Sequence, residues 1–328
     1  MIAAAGRYLV LMFVACCACG GAVAQVKDAA AGFPGKPLRI VVPYPPGGGL
    51  DIMARLLAGP LNERWGQPII IDNRPGASGM VGTQIVARSV ADGYTLVMVS
   101  TEFITAPLVY RQRLYDTIAD FAGVGQTASQ SYLLVVHPSV PARNLQELIA
   151  HAKARATPLT FTSAGLGNVG HLSGELLKRQ AGIDMTFVPY KGTGPALTET
   201  IGGHVQVMIV NPLPAIAHIK AGRLRLLAGT DAKRIASLPD VPTMSETLPG
   251  LATSGWNGIV APRGVPAAVI AKLNEAISAI IKSPAGRERI LTGGAEPVTS
   301  TPQAFSALMA DEHRRWSDII KAAKIGTQ

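Results

Sequence analysis

Short apolar runs alternate with stretches of helical period along most of this chain. Leu38, Ile40, Val41 and Val42 form a largely β-branched run suited to a buried parallel strand. Pro43, Pro45 and Pro46 end it, because proline has no N–H for a sheet ladder. Gly47, Gly48 and Gly49 follow, and a helical pattern runs over Ile52 to Arg64. Ile69 to Ile71 predicts a second strand, Met80 to Val90 a second helix and Tyr94 to Ser100 a third strand. This βαβαβ order predicts the start of a doubly wound parallel sheet. Thr101 to Asp120 has no clear period. Phe121 to Gln126 and Tyr132 to His137 read as strands that carry the chain into a second domain. There helices over Asn144–Ala156, Gly170–Gln180, Pro195–Gly202 and Pro214–Ala221 alternate with strands over Leu159–Thr162, Met185–Pro189, Val205–Val210 and Leu224–Ala228. Trp256 to Val260 reads as a strand returning to the first domain, and helices over Pro266–Ile281 and Thr301–Ala323 close that domain's outer face. The expected fold class is α/β with two doubly wound domains, the first from 25–125 and 251–328, the second from 126–250.

The amino-terminal segment does not fit this alternation. Arg7, an apolar core from Tyr8 to Ala18 and Ala22-Val23-Ala24 have the layout of a cleaved secretory signal peptide over residues 1–24. All 3 cysteines, Cys16, Cys17 and Cys19, lie inside it. A lipoprotein anchored at Cys16 is the lesser alternative, since Phe13-Val14-Ala15 is a poor lipobox. The expected mature protein is periplasmic and free of cysteine, which removes thiolate catalysis, thiolate metal sites and disulfides from consideration. A formal net charge of +9 favours anionic partners. The basic residues are scattered without an aromatic–basic cluster, so a nucleic-acid partner is not expected.

The first glycine turn carries candidate chemistry. Glycines leave backbone N–H groups open to a ligand, and a helix start adds its own free donors, so Tyr44, Pro46, Gly47, Gly48 and Gly49 frame a cradle for a small anion. Asp51 either caps this helix or pairs with the ammonium of an amino-acid ligand. A second loop runs from Ser163 to His171, and its Gly165, Gly167 and Gly170 match G-x-G-x-x-G. The next strand ends in Tyr190-Lys191 instead of the acid that would hold a ribose, so an anion-binding turn is the better reading than a dinucleotide site. Ser163, Asn168 and His171 are candidate side-chain donors there, although a histidine at a helix start also serves local hydrogen bonding. Tyr190, Lys191, Gly192, Thr193 and Gly194 form a third candidate loop, with Lys191 either a ligand contact or a solvated charge. Ser100, Thr101 and Asn211 also fall at strand ends, where open α/β sheets collect ligands. There is no H-E-x-x-H motif and the 6 histidines lack metal spacing, so no catalytic residue, metal or cofactor is expected.

The segments PLRIVVPYPPGGGLDIMAR, NRPGASGMVGT, DGYTLVM, TSAGLGNVGHLSGELL, FVPYKGTGPALTETIGGHVQVMIVN, IKAGRLRLLAGTDAKR, LPDVPTMSE and WNGIVAPRGVP, in this order and spacing, resemble the Bug family. These are extracytoplasmic solute receptors of tripartite tricarboxylate transporters. The resemblance spans Pro37 to Ile325. It implies a type II periplasmic-binding-protein fold in which the loops Pro45–Asp51 and Ser163–His171 hold a carboxylate through backbone groups and ordered water. Gln206 and Asn211 stand where family members often carry aspartates, so no relative's ligand preference transfers directly. The function expected is a monomeric, non-enzymatic receptor. It would deliver a mono-, di- or tricarboxylate, or an amino acid, to a tripartite tricarboxylate-type permease. The alternatives are presentation of the closed form to a sensor protein and, further off, an exported enzyme.

Overall fold

A computed structural model describes residues 30–322 and 325, apart from 236, 237 and 293. The expected export signal, with its cysteines, lies outside the described residues. The first sheet starts as the apolar pattern predicts, with β1 (Leu38–Val42), α1 (Gly49–Trp65), β2 (Ile69–Asn73), α2 (Met80–Ala87) and β3 (Thr95–Ser100). β1 pairs in parallel with β2 and with β3, and its Val41 and Val42 are wholly buried. α1 begins at Gly49, ahead of the expected Ile52, because Gly48 holds an extended cap conformation and the glycine after it joins the helix. It ends at Gly66 in the left-handed region (φ 62°), whose N–H donates to the Asn62 carbonyl at 2.8 Å.

The stretch that lacks a period in the sequence contains α3 (Glu102–Val109). Pro107 sits inside it and withdraws the N–H that the Phe103 carbonyl would accept. The Tyr115 hydroxyl (2.9 Å) and Thr117 Oγ1 (3.3 Å) donate to that carbonyl instead, which lets the helix survive its proline. β4 (Phe121–Ser131) is 11 residues long and runs past the expected Gln126. The returning strand β10 (Ser254–Pro262) lies antiparallel between β4 and β3, so the sheet is mixed where a parallel one is expected. With the edge strand β11 (Glu296–Pro297), the order is β11-β4-β10-β3-β1-β2.

The second sheet contains β5 (Leu133–Val136), β6 (Leu159–Thr162), β7 (Met185–Phe187), β8 (Val207–Val210) and β9 (Arg225–Gly229), ordered β7-β6-β8-β5-β9. Its connections are α4 (Leu145–Ala154), α5 (Val169–Ala181), α6 (Thr193–Ile201) and α7 (Pro212–Lys220). The chain passes between sheets at Tyr132, and again between β9 and β10 through the short α8 (Met244–Thr247). Thr230 ties both passages together. Its N–H donates to the Tyr132 carbonyl (2.9 Å), its carbonyl accepts the Thr253 N–H (2.7 Å), and its hydroxyl accepts the Tyr132 N–H (3.1 Å).

α9 (Ala267–Lys282), α10 (Pro284–Thr292) and α11 (Pro302–Ala322) return to the first domain. α11 packs on β4 and α3 through Phe305 and Trp316, both fully buried, and the Trp316 indole N–H donates to Glu312 at 2.8 Å. Among the described residues no helix is long and apolar enough to cross a membrane.

The loop from Ser163 to His171 uses its own donors. Asn168 is the N-cap of α5, and its Oδ1 accepts the His171 N–H at 2.7 Å. His171 Nδ1 in turn accepts the Gly167 N–H at 3.2 Å, and the imidazole lies buried against Phe187 with ring centroids 4.1 Å apart. Burial, and secondarily the Lys178 charge, pushes the His171 pKa down to about 4.

Replacing Trp316 with alanine is expected to cost about 3–5 kcal/mol of stability, read from urea unfolding midpoints. The unfolded chain protonates His171 near pH 6.5 while the folded chain resists down to about 4, so its stabilising share is complete above pH 6.5 and is lost as the pH falls toward 4. The loss should approach about 3 kcal/mol, and H171Q should flatten that part of a stability–pH curve. An unchanged slope in H171Q would refute this origin.

Candidate functional site

A cleft of about 850 Å³, measured out to its open mouth, lies where the two sheets face each other. Its lining comes mainly from the carboxyl ends of strands. Tyr44 to Leu50 follow β1, Ser100 and Glu102 follow β3, Ala164 follows β6, Gly192 to Pro195 follow β7, and Asn211 and Pro214 follow β8. Ligands collect at this edge of an α/β sheet because strands end there and helices begin. Asn257 joins from β10, opposite Ser100 in the ladder.

Three helices start at this cleft without a side-chain cap. They are α1 after Gly48, α6 after Gly192 and α7 after Asn211. In α1 and α6 the first N–H groups have no partner within the helix, whereas Pro212 and Pro214 leave Leu213 as the one N–H donor among the first three residues of α7; each N-terminus carries roughly half a positive charge. Among the described residues no lysine, arginine or histidine lines the cleft. Attraction for an anion therefore comes from backbone dipoles. Gly49 and Gly192 allow the close approach. A Cβ at Gly49 would stand 3.6 Å from Asn211 Nδ2, and one at Gly192 would stand 3.7 Å from Pro45, so atoms of the two domains meet here. Gly192 also adopts φ 123°, which side-chain-bearing residues rarely take.

Asp51 organises the first glycine turn from behind. Its carboxylate accepts the Gly47 N–H (2.9 Å), Arg55 Nε (2.9 Å) and Asn73 Nδ2 (3.0 Å). Burial alone would raise its pKa, but these hydrogen bonds and the Arg55 charge hold it below the usual carboxylate value. Asn73 Nδ2 also donates to the Tyr44 carbonyl at 3.0 Å, which links both ends of the turn.

Of the residues singled out in the sequence, the structure brings Tyr44, Pro46, Gly47, Gly48, Gly49, Ser100, Gly192 and Asn211 together in the cleft wall. It leaves the others out. Asp51 is turned inward to Gly47 and Arg55. Thr101 is fully buried, and its Oγ1 accepts the Trp256 N–H at 3.0 Å. Ser163 bonds its own loop at the Gly165 carbonyl, and Asn168 and His171 serve the start of α5. Gly165 and Gly167 pack instead against the first domain, where added Cβ atoms would stand 3.2 Å from Ser78 Oγ and 3.3 Å from Ala106. Tyr190 and Lys191 stand outside the lining, with Lys191 exposed.

Thr193 and Gly194 of the third candidate loop also line the cleft, whereas Glu102, Asn257 and Pro195 were not among the candidates. Glu102 is buried at the first position of α3, where its charge complements the helix dipole. It accepts hydrogen bonds from Ser100 Oγ and from the Tyr132 hydroxyl, the latter at 3.1 Å. Burial, and next the Glu102 charge, holds the Tyr44 and Tyr132 hydroxyls well above their ordinary pKa, so both remain donors at neutral pH. Across the domains, Ser78 Oγ donates to the Leu166 carbonyl at 2.7 Å. Ser78 reaches it from a turn in which Ala77 and Ser78 hold positive φ (46° and 51°). Among the described residues no cluster of histidine and acidic side chains could hold a metal ion.

The chain is 37% identical to Protein BugT of Bordetella pertussis (strain Tohama I) over 295 residues, 88% of this chain and 90% of that protein. Its structure resembles that of R. palustris Rpa4515 with adipate, with TM-score 0.87, 37% identity and coverage of 90% of this chain and 100% of that one. It also resembles MatC (Rpa3494) from Rhodopseudomonas palustris with bound malate, with TM-score 0.82, 32% identity and coverage of 88% and 100%. The family described as tripartite tricarboxylate transporter family receptor (TctC) matches residues 53–325. With a two-domain α/β fold, a cleft at the strand ends and this match over most of its length, the chain belongs to the tripartite tricarboxylate transporter receptors.

Proposed function

We propose that this protein captures a small organic acid, as its carboxylate, in the cleft and passes the closed form to a membrane permease of the tripartite tricarboxylate type. The protein would act in the periplasm as a monomer and carry out no chemistry on its ligand. One observation carries the reading. Three uncapped helix starts converge on a cleft that, among the described residues, has no basic side chain. A carboxylate fits such a site because it accepts several N–H bonds and needs no fixed counter-charge. The adipate in Rpa4515 and the malate in MatC support the same ligand class.

Two of the three helix starts, α6 and α7, belong to the second domain, while α1 belongs to the first. A ligand that bonds the starts of α1 and α6 together gains contacts only when the domains close, and this difference in contacts shifts the population toward the closed form. The permease then reads a surface that exists only in that form.

The test uses protein exported, purified, unfolded and refolded to strip any carried ligand, with thermal melting in a panel of mono-, di- and tricarboxylates and amino acids. A true ligand at about a hundred times its dissociation constant adds roughly 2.7 kcal/mol and raises the midpoint by a few degrees. G48V supplies the control. Gly48 has an extended backbone (φ −78°, ψ 166°) and nothing nearer than 3.7 Å to an added Cβ, so valine should fold there while filling the cradle. Binding should fall at least tenfold in G48V, with the free protein's midpoint retained. Failure of every acid to shift the wild-type melt would overturn the reading.

A further inference from the structure

Opposite in sign to the three helix starts, the cleft wall also contains one ionisable carboxylate, Glu102. An isolated acid beside an anion site would repel the ligand. The structure nevertheless fixes Glu102 in place, with Ser100 Oγ on Oε2 and the Tyr132 hydroxyl on Oε1. An ionised carboxylate offers about four acceptor positions, so these two donors leave capacity unused.

A second acceptor lines the same cleft. Asn257 is 3% exposed, and its Oδ1 is buried with no hydrogen-bond partner. Asn257 is the antiparallel ladder partner of Ser100, so its side chain shares a sheet face with the Ser100–Glu102 pair. A buried amide oxygen without a donor is costly, and native structures rarely keep one unless something else supplies the donor. The tyrosines do not relieve this deficit. The Tyr132 hydroxyl is given to Glu102, and the Tyr44 hydroxyl to the Ser78 carbonyl at 3.0 Å.

We propose that Glu102 and Asn257 form a subsite for a positively charged donor, so that the ligand is a zwitterionic acid with a protonated amine near the carboxylate that the helix starts hold. This rests on the receptor reading above and narrows its ligand class. The cleft is then bipolar. Backbone dipoles take the negative end of the ligand, and Glu102 with the Asn257 oxygen takes the ammonium. A plain dicarboxylate would leave both acceptors unpaired and one of them repelled.

The test is a calorimetric comparison of matched acids that differ only by an amino group, namely succinate with aspartate, glutarate with glutamate, and adipate with 2-aminoadipate. The stripped wild-type protein should bind at least one amino acid ten times or more tightly than its unsubstituted partner, about 1.4 kcal/mol in favour of the amine. In E102Q, which keeps the shape and can still bond Tyr132, that ratio should fall at least tenfold, and the plain diacid should gain affinity as the repulsion is removed. A wild-type preference below tenfold in every pair would overturn the subsite, as would a preference that E102Q retains. The wild-type ratios decide the matter without the variant, should E102Q fold poorly. Binding of diacids without any amine preference removes only this inference, whereas no binding by any acid, plain or amino, removes the receptor reading as well.

Discussion

A helix start that faces a cleft without a cap is an unfinished structure. Its first N–H groups have no carbonyl to meet, and in a confined space water serves them poorly. Three such starts meet here, and much of the molecule can be understood as keeping them open. Asp51, Asn73 and Arg55 hold the first glycine turn so that its remaining donors point outward. Gly49 and Gly192 allow the facing loops to come within contact of Asn211 and Pro45. The parallel strands deliver all of these turns to one edge.

The contrast with α5 shows how much depends on one capping residue. Its loop is also rich in glycine and follows a strand, β6 of the second sheet, yet Asn168 and His171 take up the Gly167 and His171 N–H groups within the loop. The glycines then serve another purpose. Gly165 and Gly167 let the second domain press close to Ser78 and to α3. A glycine-rich loop between strand and helix thus has two outcomes, a ligand cradle or a domain contact. The asparagine at the helix start separates them.

This explains what the sequence made legible. The first glycine turn could be read because prolines and glycines leave few alternatives for the backbone from Pro43 to Gly49. The alternation of strands and helices was equally plain, apart from α3 and the short α8, α10 and β11. In α3 Pro107 hides the helix, since the compensating donors to Phe103 come from Tyr115 and Thr117, beyond any local window. Glu102 was lost with that helix, because a residue in an unassigned stretch cannot be placed at a strand end. Asn257 was hidden differently. Its importance comes from its ladder partner Ser100, over 150 positions away in the chain. The free or occupied state of the donors near Gly165 was visible only in the Asn168 signal, which fits a cap as well as a ligand contact.

The knot at Thr230 has a mechanical consequence. Two passages of chain join the domains, and Thr230 fastens Tyr132 on one passage to Thr253 on the other through main-chain bonds. A single strand of linker would let the lobes swing, twist and slide. A pair of linkers stitched side by side behaves as a flat spring, compliant in bending across its width and stiff against torsion and shear. A hinge of this form would bend more readily than it twists or shears, so any closure about it would follow one bending path whatever the solute.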